Sequence, residues 1–385
     1  MDVYEESSEL HERMKGKLAI SSKVKINTKE DLSLAYTPGV AEPCRRIAKK
    51  PEDIYKYTNK GNLVAVVSDG SAVLGLGNIG GKASMPVMEG KAILFKEFAD
   101  VDAFPICLDT QDDEEIIRTV KLVAPTFGGI NLEDIAAPRC FYIERRLIEE
   151  LDIPVFHDDQ HGTAICVLAG IMNSSKVVGK DIKDLTVVIN GVGAAGSAIG
   201  RILIDAGVKD VRLVDRNGII NKNVKDTMLN WNHEELAGIT NKENRTGNLV
   251  EAVKGADVFV GVSKPGLLTQ DMVRSMADKS IIFAMANPQP EILPEEAKRA
   301  GAAIIGTGRS DFPNQVNNVL VFPGLFRGVL KARVKVITKE MKFAAAKALA
   351  GYIPENKLNA ENILPSALDK NVAKAVAIAV CEAAK

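Results

Sequence analysis

The sequence predicts an α/β protein in two parts: an N-terminal α/β domain over residues 1–160 and a doubly wound parallel-sheet domain with C-terminal helices over residues 161–385. Three observations carry this. A chain of 385 residues exceeds what one hydrophobic core usually holds. From Leu185 onward short apolar runs alternate with helical segments, the texture of a parallel sheet with crossover helices. A glycine-rich turn joins the first of those strands to its helix.

In order, residues 1–60 carry polar turns and a helix-like stretch at 41–49. Apolar runs at 63–67 and 72–76 flank Ser68-Asp69-Gly70-Ser71 and read as a β-hairpin on an Asp-Gly turn. Helical periodicity follows at 88–98, with Pro86 set to interrupt the segment before it, then a strand at 103–108 and a helix at 114–123. A short strand at 153–156 precedes a long helix at 161–178. The second half pairs a strand at 185–189 with a helix at 197–206, followed by strands at 211–214, 258–261, 281–284 and 302–305. The Ala/Val-rich C-terminal stretch, broken by Lys370 and Lys374, suits a packed helix.

The bulk properties exclude several classes. A net charge of −1 gives no electrostatic reason for nucleic acid or an acidic membrane as partner. No run approaches the roughly 18 apolar residues of a membrane span, and the Glu-rich start lacks the apolar core of a signal peptide. Five scattered cysteines, never paired as CxxC, form neither a disulfide framework nor a thiolate zinc site, so a reducing, cytoplasmic setting is expected.

Two segments match GxGxxG. Gly75-Leu-Gly77-Asn-Ile-Gly80 leaves the second arm of the expected hairpin and reads as a glycine-rich turn near substrate. Gly191-Val-Gly193-Ala194-Ala195-Gly196 follows the strand Leu-Thr-Val-Val-Ile and opens a helix, and a second strand ends in Asp215, 19 residues after Gly196. That is the Rossmann dinucleotide context: small residues let backbone approach the pyrophosphate, helix N–H groups face it, and Asp215 accepts from the adenine ribose. The Asp215 carboxylate favours NAD, whereas the neighbouring Arg216 suits the 2′-phosphate of NADP.

Adjacent acids occur at Glu133-Asp134, at a strand-like end, and at Asp158-Asp159, between a strand and a helix start. Such pairs repel unless they are solvated, protonated or bound to a cation, and hard oxygens from two segments suit Mg²⁺ or Mn²⁺. His157 and His161 align only on a helix, and their segment reads as a turn leading into one, so orienting roles fit better than zinc ligation. Lys91, among apolar neighbours, is placed for its pKa to fall and make it a base. Tyr36 precedes a tight Thr-Pro-Gly turn.

Taken together, six segments resemble the malic enzymes of the short prokaryotic type. They are Ser-Leu-Ala-Tyr36-Thr-Pro-Gly-Val, Ser-Asp-Gly-Ser-Ala-Val-Leu-Gly-Leu-Gly-Asn-Ile-Gly, Val-Met-Glu-Gly-Lys91-Ala, Asn-Leu-Glu133-Asp134-Ile, Phe-His-Asp158-Asp159-Gln-His-Gly-Thr-Ala and Ala-Asn287-Pro. Pro-Asn-Gln-Val-Asn-Asn318-Val-Leu-Val-Phe-Pro-Gly extends the likeness, which spans almost the whole chain. The resemblance implies oxidative decarboxylation of malate to pyruvate with NAD or NADP. It implies Glu133, Asp134 and Asp159 as ligands of Mg²⁺ or Mn²⁺, Lys91 as base with Asp158 as helper, and Tyr36 as the acid that protonates C3. Asn287 and Asn318 are implied as substrate or nicotinamide contacts, and a homodimer as the assembly. One departure stands out: larger members carry a substrate-binding arginine after Asp-Gly, where this sequence has Ser71-Ala72. A non-decarboxylating amino-acid dehydrogenase and a nucleotide-sensing module without turnover are the competing readings; neither needs the acidic triplet.

Overall fold

The computed structural model describes residues 2–385. Two parallel sheets organise it. The first holds β1 (Leu63–Ser68), β2 (Asp102–Cys107), β3 (Gly129–Leu132) and β4 (Val155–His157) in the order β2-β1-β3-β4. All of its pairings are parallel. The second holds β5 (Thr186–Asn190), β6 (Asp210–Asp215), β7 (Gly218–Ile219), β8 (Val258–Gly261), β9 (Ile281–Ala284) and β10 (Ile304–Thr307) in the order β10-β9-β8-β5-β6-β7. Only the two-residue β7 runs antiparallel. The fold is the mixed α/β, doubly wound arrangement the alternating texture predicts.

Parallel strands need cover on both faces, and the period-two side-chain alternation supplies it. In β1, Val64 and Val66 enter one core while Ala65 and Val67 enter another. The first core runs on into the second sheet through the long Asp158–Val178 helix, gathering Phe95, Phe322 and Phe326 with Val187 and Ile189. Phe95 meets Phe322 and Phe326 edge-on, with ring centroids 4.7 and 5.3 Å apart. The Lys370–Ala383 helix packs on Phe322–Ala332, where Gly324 and Gly328 face the backbone of Ala373 and Ala377. A methyl group at either glycine would strike that backbone, so these two small residues set how closely the helices approach.

Three expectations need correction. Residues 72–76 form no strand, and β1 pairs in parallel with β2 and β3 rather than closing a hairpin. The Asp69 carboxylate accepts hydrogen bonds from Ser71 N (2.9 Å) and Ser71 Oγ (2.6 Å), and Ala72 N donates to Asp134 O (2.9 Å), so the chain is drawn over to β3. Pro86 does not end the helix around it, which runs from Gly80 to Ala99. A proline in the second turn costs about one hydrogen bond and a bend, and the buried contacts of Met88, Lys91, Ala92 and Phe95 outweigh it. Finally, Asp158 and Asp159 are not in a turn before the long helix; they form its first turn, behind His157.

Candidate active site

The site is assembled where strand ends of both sheets face each other across a cleft of about 790 Å³. One wall carries Ser71, Asp134, Asp159 and Thr163; the other carries Gly193, Ala194, Ala195, Ser263, Lys264, Asn287, Asn317 and Asn318. Strand carboxyl ends at a change in winding direction are where such sheets bind ligands. Here that point lies between β5 and β8.

On the acidic wall, Glu133 follows β3 and is buried, its Oε2 accepting from Asn131 Nδ2 at 2.8 Å. Asp134 adopts left-handed backbone (φ 54°), a conformation costing an L-residue roughly 1–2 kcal/mol. That twist breaks the strand's alternation, so two consecutive carboxyls join one cluster instead of pointing apart. Asp159 Oδ2 accepts from Asp134 N at 2.8 Å, joining β3 to the long helix. Ligand oxygens of Glu133, Asp134 and Asp159 all lie within 4.8 Å of one another.

Lys91, from the Gly80–Ala99 helix, reaches Asp158 Oδ2 at 2.6 Å and Glu133 Oε1 at 2.8 Å, with Phe322 beneath its ammonium at 4.1 Å. Gly162, one helical turn beyond Asp158, leaves room for that carboxyl; a Cβ there would overlap Asp158 Oδ1. Three buried acids and the half-buried Asp159 thus surround one ammonium, which touches Glu133 and Asp158. Burial pushes Glu133, Asp134, Asp158 and Asp159 all above the ordinary carboxylate range; Lys91 pulls against it, and repulsion among the acids adds to it. For Lys91 burial favours the neutral amine, but Asp158, Glu133 and Asp159 prevail and hold the proton on more tightly than usual. The fall expected from its apolar sequence neighbours does not occur in this cluster.

The acidic cluster fits a hard dication. Asp134 Oδ2 is buried with no hydrogen-bond partner. Octahedral Mg²⁺ at about 2.1 Å sets ligand oxygens some 3–4 Å apart, which the 4.8 Å limit on their separation accommodates. The two histidines do not converge: His161 Nε2 lies 3.0 Å from Glu144 Oε2, and His157 is enclosed at the helix start.

The opposite wall fits a dinucleotide. Gly191 has φ 101° and lies against Val262 O and Ser263 Cβ; Gly196 abuts the Gly191 carbonyl. A Cβ on Gly193 would meet nothing within 4 Å, leaving the start of the Ala194–Asp205 helix open to a phosphate. Asp215 ends β6, its Oδ1 accepting from Arg216 N at 2.7 Å, with His233 Nε2 3.7 Å from its Oδ2. Asn287 and Asn318, from loops after β9 and β10, line the cleft.

Tyr36 does not. It caps the Lys29–Ala35 helix, is 67% exposed and is absent from the cleft lining. Sequence reasoning gave no role to Thr163 and Asn317, although both lie in segments that carry the resemblance, and missed Lys264 and Glu291, which no motif marks. The buried Glu291 carboxylate accepts from Ser263 N (3.1 Å) and Ala286 N (3.0 Å), tying together the two loops of the nucleotide wall.

A doubly wound nucleotide-binding sheet facing a lysine and three clustered carboxylates defines a metal-assisted, NAD(P)-linked oxidoreductase of the two-domain α/β type. Comparison with known proteins is specific. The family profile for the malic enzyme N-terminal domain matches residues 15–116 and 111–148, and that for the malic enzyme NAD binding domain matches residues 160–385. The bifunctional malic/malolactic enzyme of Bacillus subtilis is 56% identical over 384 residues, covering 100% of this chain and 93% of that protein. The NAD-dependent malic enzyme of Geobacillus stearothermophilus is 57% identical over 369 residues, 96% of this chain and 77% of that one. The crystal structure of the NAD-dependent malic enzyme from Thermotoga maritima superposes with a TM-score of 0.95 at 52% identity over 99% of both chains. The chain belongs to the malic enzymes, which oxidise malate and decarboxylate it to pyruvate with NAD or NADP and a divalent cation.

Proposed function

We propose the following division of that reaction among the residues of this chain. Glu133, Asp134 and Asp159 hold Mg²⁺ or Mn²⁺. Gly191, Gly193, Ala194, Ala195 and Gly196 receive the pyrophosphate of NAD or NADP, aided by Lys264, and Asp215 receives the adenine ribose. When bound, the nicotinamide supplies the acceptor for the C2 hydride, and the dication supplies the Lewis acid that draws electron density from the breaking C3–carboxylate bond. Lys91, held as an ammonium by the cluster, passes a proton to Asp158 Oδ2, 2.6 Å away, and the freed Nζ takes the C2 hydroxyl proton. Asn287 and Asn318 replace the missing arginine with neutral amide donors toward a substrate carboxylate or the nicotinamide carboxamide. Tyr36 protonates C3 of the enol, each acid–base step being worth about 10²–10⁴-fold.

Tyr36 stands outside the lining of its own cleft, and we assign it to the cleft of a second copy. Residues 2–59 contain no buried residue, and Ile20 (88% exposed) and Leu34 (78%) stand among many exposed apolar side chains. The edge strand β2 exposes Phe104 beside a groove of about 810 Å³ bordered by residues 18–21. These surfaces support a homodimer in which the N-terminal segment crosses to the partner's cleft. We place the domain boundary near residue 160, in the first turns of the Asp158–Val178 helix. The cytoplasmic assignment rests on five free cysteines; among the described residues no helix is long and apolar enough to cross a membrane.

The observation that carries the residue roles is the convergence of three carboxylates beside Lys91 at the cleft wall. Steady-state reduction of NAD and NADP by malate, with Mn²⁺ and with chelator, tests it. Lys91→Ala must abolish turnover while leaving NAD binding intact; residual malate oxidation in a chelated Glu133→Gln variant would end the assignment.

A further inference from the structure

Behind the metal loop lies a second, part-open pocket of about 170 Å³, bordered by the Arg139–Glu150, Asp158–Val178, Ala194–Asp205 and Lys339–Ala350 helices. None of the roles above uses it. Three basic side chains, Arg201, Lys339 and Lys342, line it against one acid, Asp205. Arg201 and Lys339 are answered by Glu235 and Asp205, each at 2.8 Å. Lys342 is not: its Nζ has one hydrogen-bond partner, His161 Nδ1 at 3.1 Å, and no ion pair among the described residues. Its nearest carboxylates, Glu144 beyond His161 and Asp205, make no direct ion pair with it, which leaves ammonium donors free toward the cavity, and Phe141, Ile202 and Phe343 give that space an apolar side opposite Gln160, His161 and Ser197.

The cavity also has a physical route to the active site. Lys342 Nζ donates to His161 Nδ1, so His161 Nε2 carries the proton toward Glu144 Oε2 at 3.0 Å. Glu144 Oε1 in turn accepts from His157 N at 2.8 Å, directly before Asp158 and Asp159. Burial alone would raise the Glu144 carboxyl, but His161 and Lys342 prevail and hold it down at about 2, so it is a fixed anion in this chain of contacts.

We propose that this cavity binds a small aliphatic carboxylate, pairing its charge with Lys342 and its carbon body with the phenylalanines, and that occupancy acts on the metal loop through His161, Glu144 and His157 N. At roughly 30 Å³ per water-sized unit the space suits about six heavy atoms. The binding half stands independently of the reaction assigned above; the coupling half rests on the proposed metal ligands.

The test is calorimetric titration of the full chain with isobutyrate, against neutral isobutyramide and inorganic phosphate, in parent, Lys342→Met and Ala198→Leu. The second variant fills the cavity without touching a charge. Expected are millimolar isobutyrate binding, none for the amide, and a loss of about 10-fold or more in both variants, with the KM for malate in Ala198→Leu within about twofold of parent. Isobutyrate must also shift the apparent Mn²⁺ affinity at saturating malate. Binding that survives in either folded variant, that malate displaces competitively, or that phosphate reproduces with the same variant dependence overturns the proposal; if Lys342→Met does not fold, Ala198→Leu decides alone.

Discussion

Gly162→Ala isolates the geometry of the proton-handling pair without removing a functional group. In the parent the Asp158 carboxyl folds back over Gly162 to meet Lys91 Nζ at 2.6 Å. A Cβ at position 162 would lie 1.8 Å from Asp158 Oδ1 and 2.9 Å from Asp158 Cγ. Non-bonded carbon and oxygen rest about 3.3 Å apart or more, so the carboxyl must retreat by about 1.5 Å. That carries the Lys91 contact past about 3.5 Å, beyond the limit of a hydrogen bond. Misplacing a catalytic group by about 1 Å costs on the order of 10²-fold. The expected result is a kcat lowered by about 10²-fold, with the KM for NAD unchanged because the Gly191–Gly196 turn lies on the opposite wall. The assay is steady-state formation of reduced nicotinamide at saturating malate and Mn²⁺, with Mn²⁺ binding measured separately. A Gly162→Ala enzyme within threefold of the parent kcat would refute the role given to the Lys91–Asp158 contact.

Other expectations follow from the same geometry. Because the folded pKa values of Glu133, Asp134, Asp158 and Asp159 are raised, their contribution to stability is full below the unfolded value near pH 4 and is lost as pH rises through the folded values, the highest being about 9 for Asp134. Lys91, also raised, loses its contribution only above about pH 10, outside that window. Metal-free protein must therefore melt lower at pH 8.5 than at pH 6, and saturating Mn²⁺ must flatten the profile; thermal unfolding with and without chelator decides it. Asp134→Asn must weaken Mn²⁺ binding by at least about 10²-fold, consistent with the 10–100-fold typical of outer-shell partners alone, yet raise the melting temperature of the metal-free chain above about pH 9, where the parent carboxyl would have to ionise in its buried place. Mixing Tyr36→Phe with Lys91→Ala must restore activity in hybrid dimers, which regain one complete site if Tyr36 acts across the interface; hybrids as inactive as either parent variant place Tyr36 in its own chain. Asp215→Ser must shift the ratio of kcat/KM toward NADP by about 10-fold or more, since it removes a carboxylate from where a 2′-phosphate would sit; an unchanged ratio rules out Asp215 as the discriminating group.

Much of this protein was legible in its residues because the physics is local. Val187-Val188-Ile189 followed by Gly191, Gly193 and Gly196 dictates a buried strand, a tight turn and a helix start wherever it occurs, and β8 and β9 appear where alternating apolar runs place them. The acidic doublets were visible as an anomaly, adjacent like charges in apolar surroundings. What no local rule supplies is the approach of segments distant along the chain. Residues 72–76 have the composition of a strand, yet the side chain of Asp69 and the carbonyl of Asp134 capture the backbone and send it to the cleft. Lys91 looks deprotonatable from its apolar neighbours and is the reverse, because Glu133 and Asp158 arrive from other elements with negative charge. The site itself is a tertiary fact: a left-handed turn at Asp134 and the missing side chain at Gly162 decide which oxygens meet, since charge and hydrogen bonding act over a few ångströms of space rather than along the chain.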